Sequence, residues 1–160
     1  MSDAIKPAEP SLVEPNPADP VWKLYLYPQG LRAQLCCHFL NTTVIVDLPA
    51  AWARVIILLV IAREQDAGLP PHSRGARHAT YLAQEYEKNQ RLAQFLATSM
   101  TAYLHRLCRK ISNANSGDKP LPALIARQTR VGARLLYPVE IRLVGVPPTA
   151  TVDLNTLRAW

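Results

Sequence analysis

The sequence is poor in the residues that staple a secreted fold or build a metal site. It has three cysteines in 160 residues, two of them adjacent at Cys36 and Cys37. That excludes a disulfide framework, and reduced thiols in the cytoplasm are expected. There is no Cys-x-x-Cys pair and no second ligand pair at zinc-finger spacing. If residues 36–38 lie in a strand, Cys36 and His38 share one face while Cys37 takes the other. Packing as small apolar groups accounts for such cysteines. The N-terminus lacks the basic-then-apolar layout of a secretory signal. The longest strongly apolar run, residues 55–62, is far shorter than the ~20 residues that cross a bilayer. No Gly-x-Ser-x-Gly elbow, P-loop or Gly-x-Gly-x-x-Gly turn occurs. Carboxylates at useful spacing are scarce, since Glu85 and Glu87 fall on different faces of a helix. Cys108 lies one helical turn from His105, but Leu104, Leu107 and Ile111 mark it as bordering packed surface. The expectation is a protein with no catalytic residue, no metal, no cofactor and no membrane partner.

Proline, by contrast, is abundant and unevenly placed. Five of the 14 prolines fall in the first twenty residues, together with four acidic side chains and one lysine. Such a segment has little to bury, so residues 1–20 are expected to form an extended acidic arm. Its net charge of −3 means that the rest of the chain carries +9, against +6 overall. A basic domain with an acidic arm points to a polyanionic partner, most often nucleic acid. Residues 21–146 suit one domain large enough to hold its own core. Pro147 and Pro148 end the ordered pattern, leaving residues 147–160 as a tail.

Within the domain, residues 22–27 alternate and are rich in aromatics, which predicts a strand. Pro28-Gln-Gly30 signals a turn, residues 31–40 a second strand, and residues 44–46 a short third one after the break at Asn41-Thr-Thr43. Short strands with tight links predict an antiparallel sheet. A helix over 49–66 follows, with Asp47 or Leu48 near its cap and Pro49 in its first turn. Its centre is apolar all round, a pattern shared with buried strands, but its length and flanking Ala and Arg favour a central helix. Arg54 and Arg63 are expected to solvate its ends. Arg74 and Arg77 fall in or beside a loop over 70–76, open to phosphate or simply to solvent. A second helix is predicted over 78–89, a third ending near Ser112, a loop over 113–120, and strands over 124–129 and 133–144.

The third helix contains Met100-Thr-Ala-Tyr-Leu-His-Arg-Leu-Cys-Arg-Lys-Ile111. Met100, Tyr103, Leu104, Leu107 and Ile111 form an apolar face. Ser99, Ala102, His105, Arg106, Arg109 and Ser112 fall mostly opposite. A face that is small at its start and basic towards its end suits a DNA groove, because short side chains admit the backbone while arginines reach guanine or phosphate. A solvated face on an ordinary core helix explains the helix equally well by itself. The following hairpin, with Arg127, Arg130 and Arg134 around Gly132, adds a second basic feature beside the first.

These residues resemble the winged-helix DNA-binding domain of OmpR/PhoB-type response regulators. The run 100–111 is similar to that family's recognition helix, with Leu104, Leu107 and Ile111 at core positions and Arg106, Arg109 and Lys110 at basic ones. Arg130-Val-Gly-Ala-Arg-Leu135 is similar to the Gly-Val-Gly-Tyr-Arg-Leu of the wing, and a sheet before the first helix is distinctive of the family. The resemblance spans residues 21–144. It implies an α+β fold with an N-terminal antiparallel sheet, three helices and a C-terminal β-hairpin wing. It also implies a transcriptional regulator binding double-stranded DNA through Ser99, Ala102, Arg106, Arg109, Lys110, Arg130 and Arg134. Departures occur at Cys108, where the family usually has arginine, at Tyr103, where it often has histidine, and in the wing, which keeps one glycine. Residues 137–144 extend past the usual end of the wing. The chain shows no receiver domain, so phosphorylation-controlled dimerisation within it is not expected. The alternative is a protein-interaction module on the same frame, binding another polypeptide or a second copy.

Overall fold

The computed structural model describes residues 19–27, 32–88, 97–114, 121–128 and 132–145. Three strands come first: β1 (Val21–Tyr27), β2 (Arg32–Phe39) and β3 (Thr42–Pro49). Each pairs antiparallel with the next. Their alternation sets one face inward: Trp22, Leu24 and Leu26 from β1, Ala33, Leu35 and Cys37 from β2, Val46 and Leu48 from β3. The link from β2 to β3 is tighter than the expected break at 41–43. Phe39 pairs with Thr42, so only Leu40 and Asn41 form the loop. Both have positive φ, 52° and 62°, the left-handed pair that a two-residue hairpin requires.

β3 runs directly into α1 (Ala50–Gln65), with Pro49 at the N-cap position and no side-chain cap. Asp47, expected near that cap, instead accepts a hydrogen bond from Gln34 Nε2 at 2.9 Å. The all-round apolar centre of α1 is explained by its neighbours. It packs on β2 and β3, on α2 (Ala79–Lys88) and α3 (Ala97–Asn113), and on β5 (Gly132–Leu135). Ala53 through Leu59, Ile61 and Ala62 are all buried. No helix among the described residues is long and apolar enough to cross a membrane.

The C-terminal part is a hairpin of β4 (Ile125–Gln128) and β5, followed by β6 (Val139–Leu143). The single strand expected over 133–144 is therefore two strands. Pro138 has no N–H to give a ladder, and the chain leaves the hairpin there. β6 then lies parallel to β1 and completes a sheet of order β3-β2-β1-β6. The result is an α+β fold of N-terminal antiparallel strands, three helices and a C-terminal hairpin. Residues 1–18 and 146–160, covering most of the expected arm and the tail, lie outside the described residues.

Arginines expected at the ends of the first helix or in the loop after it are held by other parts of the fold. Arg54 is 9 % exposed and stacks over the Tyr86 ring at 5.3 Å, because α2 packs across the first half of α1. Arg63 Nη1 donates to the Leu135 carbonyl at 3.0 Å. Arg74 donates through Nε and Nη2 to the Leu69 carbonyl, at 3.2 and 2.8 Å.

Candidate nucleic-acid interface

At 100° per residue, the buried stripe of α3 is Met100, Leu104, Leu107 and Ile111. Opposite it lie Ala102, half-buried, and Arg106, Arg109 and Asn113, all exposed. This outward face has two flanks. On one, Tyr103 meets Tyr86 of α2 edge to face, with ring centroids 6.0 Å apart. Further along that flank, Lys110 Nζ sits over the Trp52 ring of α1 at 5.5 Å. On the other flank, Arg127 Nη2 of β4 meets His105 Nδ1 at 3.3 Å. A guanidinium only donates, so His105 Nδ1 accepts in this contact. The hairpin is thereby drawn against α3.

Cys108 sits between the buried stripe and that second flank. Burial pushes its thiol above the ordinary range, and nearby Arg127 opposes the shift. Desolvation, reinforced by Cys36, pushes Cys37 up to about 11, and burial also raises Cys36. Such thiols favour the protonated, unreactive form. The strand geometry separates Cys37, in the core, from Cys36 and His38 on the opposite face. Among the described residues, no three His, Cys, Asp or Glu side chains gather closely enough to hold a metal.

The expected contact residues divide into groups. Ser99, Ala102, Arg106 and Arg109 share the outward side of α3, with Ser99 half-buried at its edge. Lys110 is turned towards Trp52. Arg134 pairs with Ala126, whereas Arg127 pairs with Ala133, so the two arginines point to opposite faces of the hairpin. Arg130 lies outside the described residues. Arg127 was identified in the sequence only as part of a basic tip, and the register gives it the place beside α3.

Arg77, open to phosphate in the sequence, is fully engaged. Its Nη1 and Nη2 clasp Asp66 Oδ2 and Oδ1 at 2.7 and 3.1 Å. Its ring neighbour is Tyr81, whose centroid is 5.6 Å from the guanidinium carbon. A groove of about 710 Å³ runs between Ile45 and Asp47 of β3, Trp52, and the basic residues Arg106, Arg109 and Lys110. The arrangement offers an amphipathic helix with a small-then-basic outer face, bordered by a cationic hairpin. No protein-family model, curated protein or solved structure matches the chain.

Proposed function

We propose that the chain is a DNA-binding regulator of winged-helix type, similar to the OmpR/PhoB effector domain. In this reading α3 enters the major groove of duplex DNA. Ala102 allows close approach, Arg106 reaches base edges, and Arg109 contacts phosphate. Ser99 borders the approach and Lys110 supports the far end. The hairpin is the wing, with Arg127 beside α3, and Arg130, from the segment joining β4 to β5, is expected to contribute as well. One observation carries the reading: the contact of Arg127 with His105 sets a basic hairpin on the flank of the small, exposed and basic face of α3. The engaged Arg77 and the opposite-facing Arg134 take no part in that surface.

The test is retention of mixed-sequence duplex DNA across a salt series. Binding should weaken steeply with salt, and Arg109→Ala should lower the slope of log K against log salt by roughly one. Absence of any salt-dependent retention at low ionic strength removes the reading. A protein-interaction module has support of its own in Ile45, 56 % exposed on β3, beside the groove under Trp52 and α3. A stable co-purifying polypeptide without nucleic acid favours that second reading.

A further inference from the structure

The sheet ends on one side at β3, and among the described residues nothing pairs with its outer edge. The β2–β3 turn fixes which groups that edge presents. In a two-residue hairpin the residues flanking the loop, here Phe39 and Thr42, exchange backbone hydrogen bonds. Antiparallel alternation then turns the N–H and C=O of Val44, Val46 and Leu48 towards β2, and those of Thr43, Ile45 and Asp47 away from it. Pro49 has no N–H, so the free ladder stops before it. Residues 43–47 are thus an unpaired strand edge.

Alongside that edge runs the groove of about 710 Å³, whose other wall includes Arg106, Arg109 and Lys110 of α3 and which Trp52 also lines. Neither Arg106 nor Arg109 has a carboxylate partner among the described residues. Asp47 borders the groove too, but its carboxylate is held by Gln34 Nε2 at 2.9 Å, on the sheet face opposite α1. Ile45 is on that same outer face, beside Cys36, and its side chain is exposed. The edge is therefore apolar on one side and cationic on the other.

We propose that this edge binds an extended acidic polypeptide segment, which adds to the sheet beside β3. Backbone hydrogen bonds to Thr43, Ile45 and Asp47 hold it, the mode by which peptides join exposed sheet edges. Its side chains alternate between two surroundings. Those on the outer face cover Ile45, and those on the other bring carboxylates to Arg106, Arg109 and Lys110. The segment recognised is one in which Asp or Glu alternates with apolar, β-branched residues. Charge disfavours a second copy as occupant, because pairing β3 with β3 would bring two sets of α3 arginines to one junction. The proposal rests on the protein-interaction reading, to which it gives a partner, and is independent of duplex DNA binding.

The experiment uses the full chain and a labelled synthetic peptide of about ten residues alternating Glu and Val, read by fluorescence anisotropy. One control peptide has the same composition in blocks, and another has Lys in place of Glu. Only the alternating Glu peptide is expected to bind, and more weakly as salt rises. Arg109→Glu should weaken it about tenfold or more and admit the Lys peptide instead. Ile45→Pro removes an N–H that β2 does not use, so the fold and DNA retention should persist while peptide affinity falls by a similar factor. Methylating the peptide backbone at alternate nitrogens reads the ladder directly. A strand donates to β3 from one alternate set of residues only, so methylating that set should abolish binding and methylating the other should not. Equal binding of the blocked peptide, or equal losses from both methylated sets, overturns strand addition. A concentration-dependent dimer that Ile45→Pro abolishes and the peptide leaves intact assigns the edge to a second copy and sinks the proposal. Retention of duplex DNA by a protein that binds no peptide refutes it and leaves the DNA reading standing. A co-purifying polypeptide that Ile45→Pro does not release refutes it while keeping the interaction module.

Discussion

Arg77 grips Asp66 through both terminal guanidinium nitrogens, at 2.7 and 3.1 Å, and in doing so ties the end of α1 to the hairpin. The second half of the tie is backbone. Arg77 N donates to Ala133 O and Ala133 N to Arg77 O, both at 2.9 Å. Asp66 also accepts the Gly75 N–H at 2.9 Å. One residue thus links α1, the loop before α2 and β5. Asp66→Asn removes the charge from this junction and should cost about 1–3 kcal/mol, measured by urea unfolding at neutral pH.

The same pair makes a pH prediction. The hydrogen bond from Arg77 holds the Asp66 carboxyl below its ordinary pKa. Partial burial opposes this, and the Gly75 N–H and the Arg77 charge add to it. A depressed acid stabilises the fold fully above the unfolded-state value of about 3.9 and loses that contribution as pH falls through the lower folded value. The stability gap between wild type and Asp66→Asn should therefore hold from neutral pH to about 4–5 and close below it. A gap that persists undiminished at the acid end would contradict this assignment.

Gly132 is where β5 crosses the Arg77 backbone. Its φ is +106°, and an added Cβ would lie 2.0 Å from the Arg77 carbonyl oxygen. Neither party can yield cheaply, because both are backbone in a paired bridge. Gly132→Ala should destabilise by at least about 2 kcal/mol, from left-handed strain and the displaced bridge together. Hydrogen exchange at the Arg77 and Ala133 amides should accelerate more than exchange in β1 or β2.

Much of the fold was legible because its periods are clean. β1 alternates strictly, α3 carries an apolar stripe, and the unbroken run in α1 matches a helix covered on every side. β6 was hidden because its residues continue the alternation of β5, and only Pro138 marks the departure. Its partner β1 lies more than a hundred residues earlier, a parallel pairing that local pattern does not encode. The outward face of α3 followed from helical spacing, whereas the direction of the hairpin arginines did not. A one-residue change of register would exchange Arg127 and Arg134 between faces, and the pairing of Arg127 with Ala133 decides it. Arg77 looked like any loop cation because Asp66, eleven positions earlier, meets it only after the chain turns at 66–75.

The β2–β3 turn offers a stabilising change. Leu40 has φ 52° and is exposed, so it bears the left-handed cost without repayment from burial. Asn tolerates that conformation far better. Leu40→Asn should stabilise by about 0.5–1 kcal/mol, read as a higher urea midpoint with an unchanged m-value. A lower midpoint would mean that the side chain contributes packing at this turn.

Lys110 and Arg109 are adjacent in the chain but differ in what they face. Lys110 Nζ lies over Trp52, a cation–π contact worth about 0.5–1 kcal/mol at an exposed site. Arg109 is exposed on the outward side of α3. Lys110→Met should lower stability by about that amount, and Trp52→Leu should abolish the further effect of Lys110→Met in a double-mutant cycle. Arg109→Ala should leave stability nearly unchanged, within about 0.5 kcal/mol. On duplex DNA the order reverses. Arg109→Ala should lower the salt slope by roughly one, while Lys110→Met lowers it less, because its ammonium is held against the ring. Equal slopes for the two variants would place Lys110 on the phosphates and detach the DNA surface from the outward face as drawn from α3.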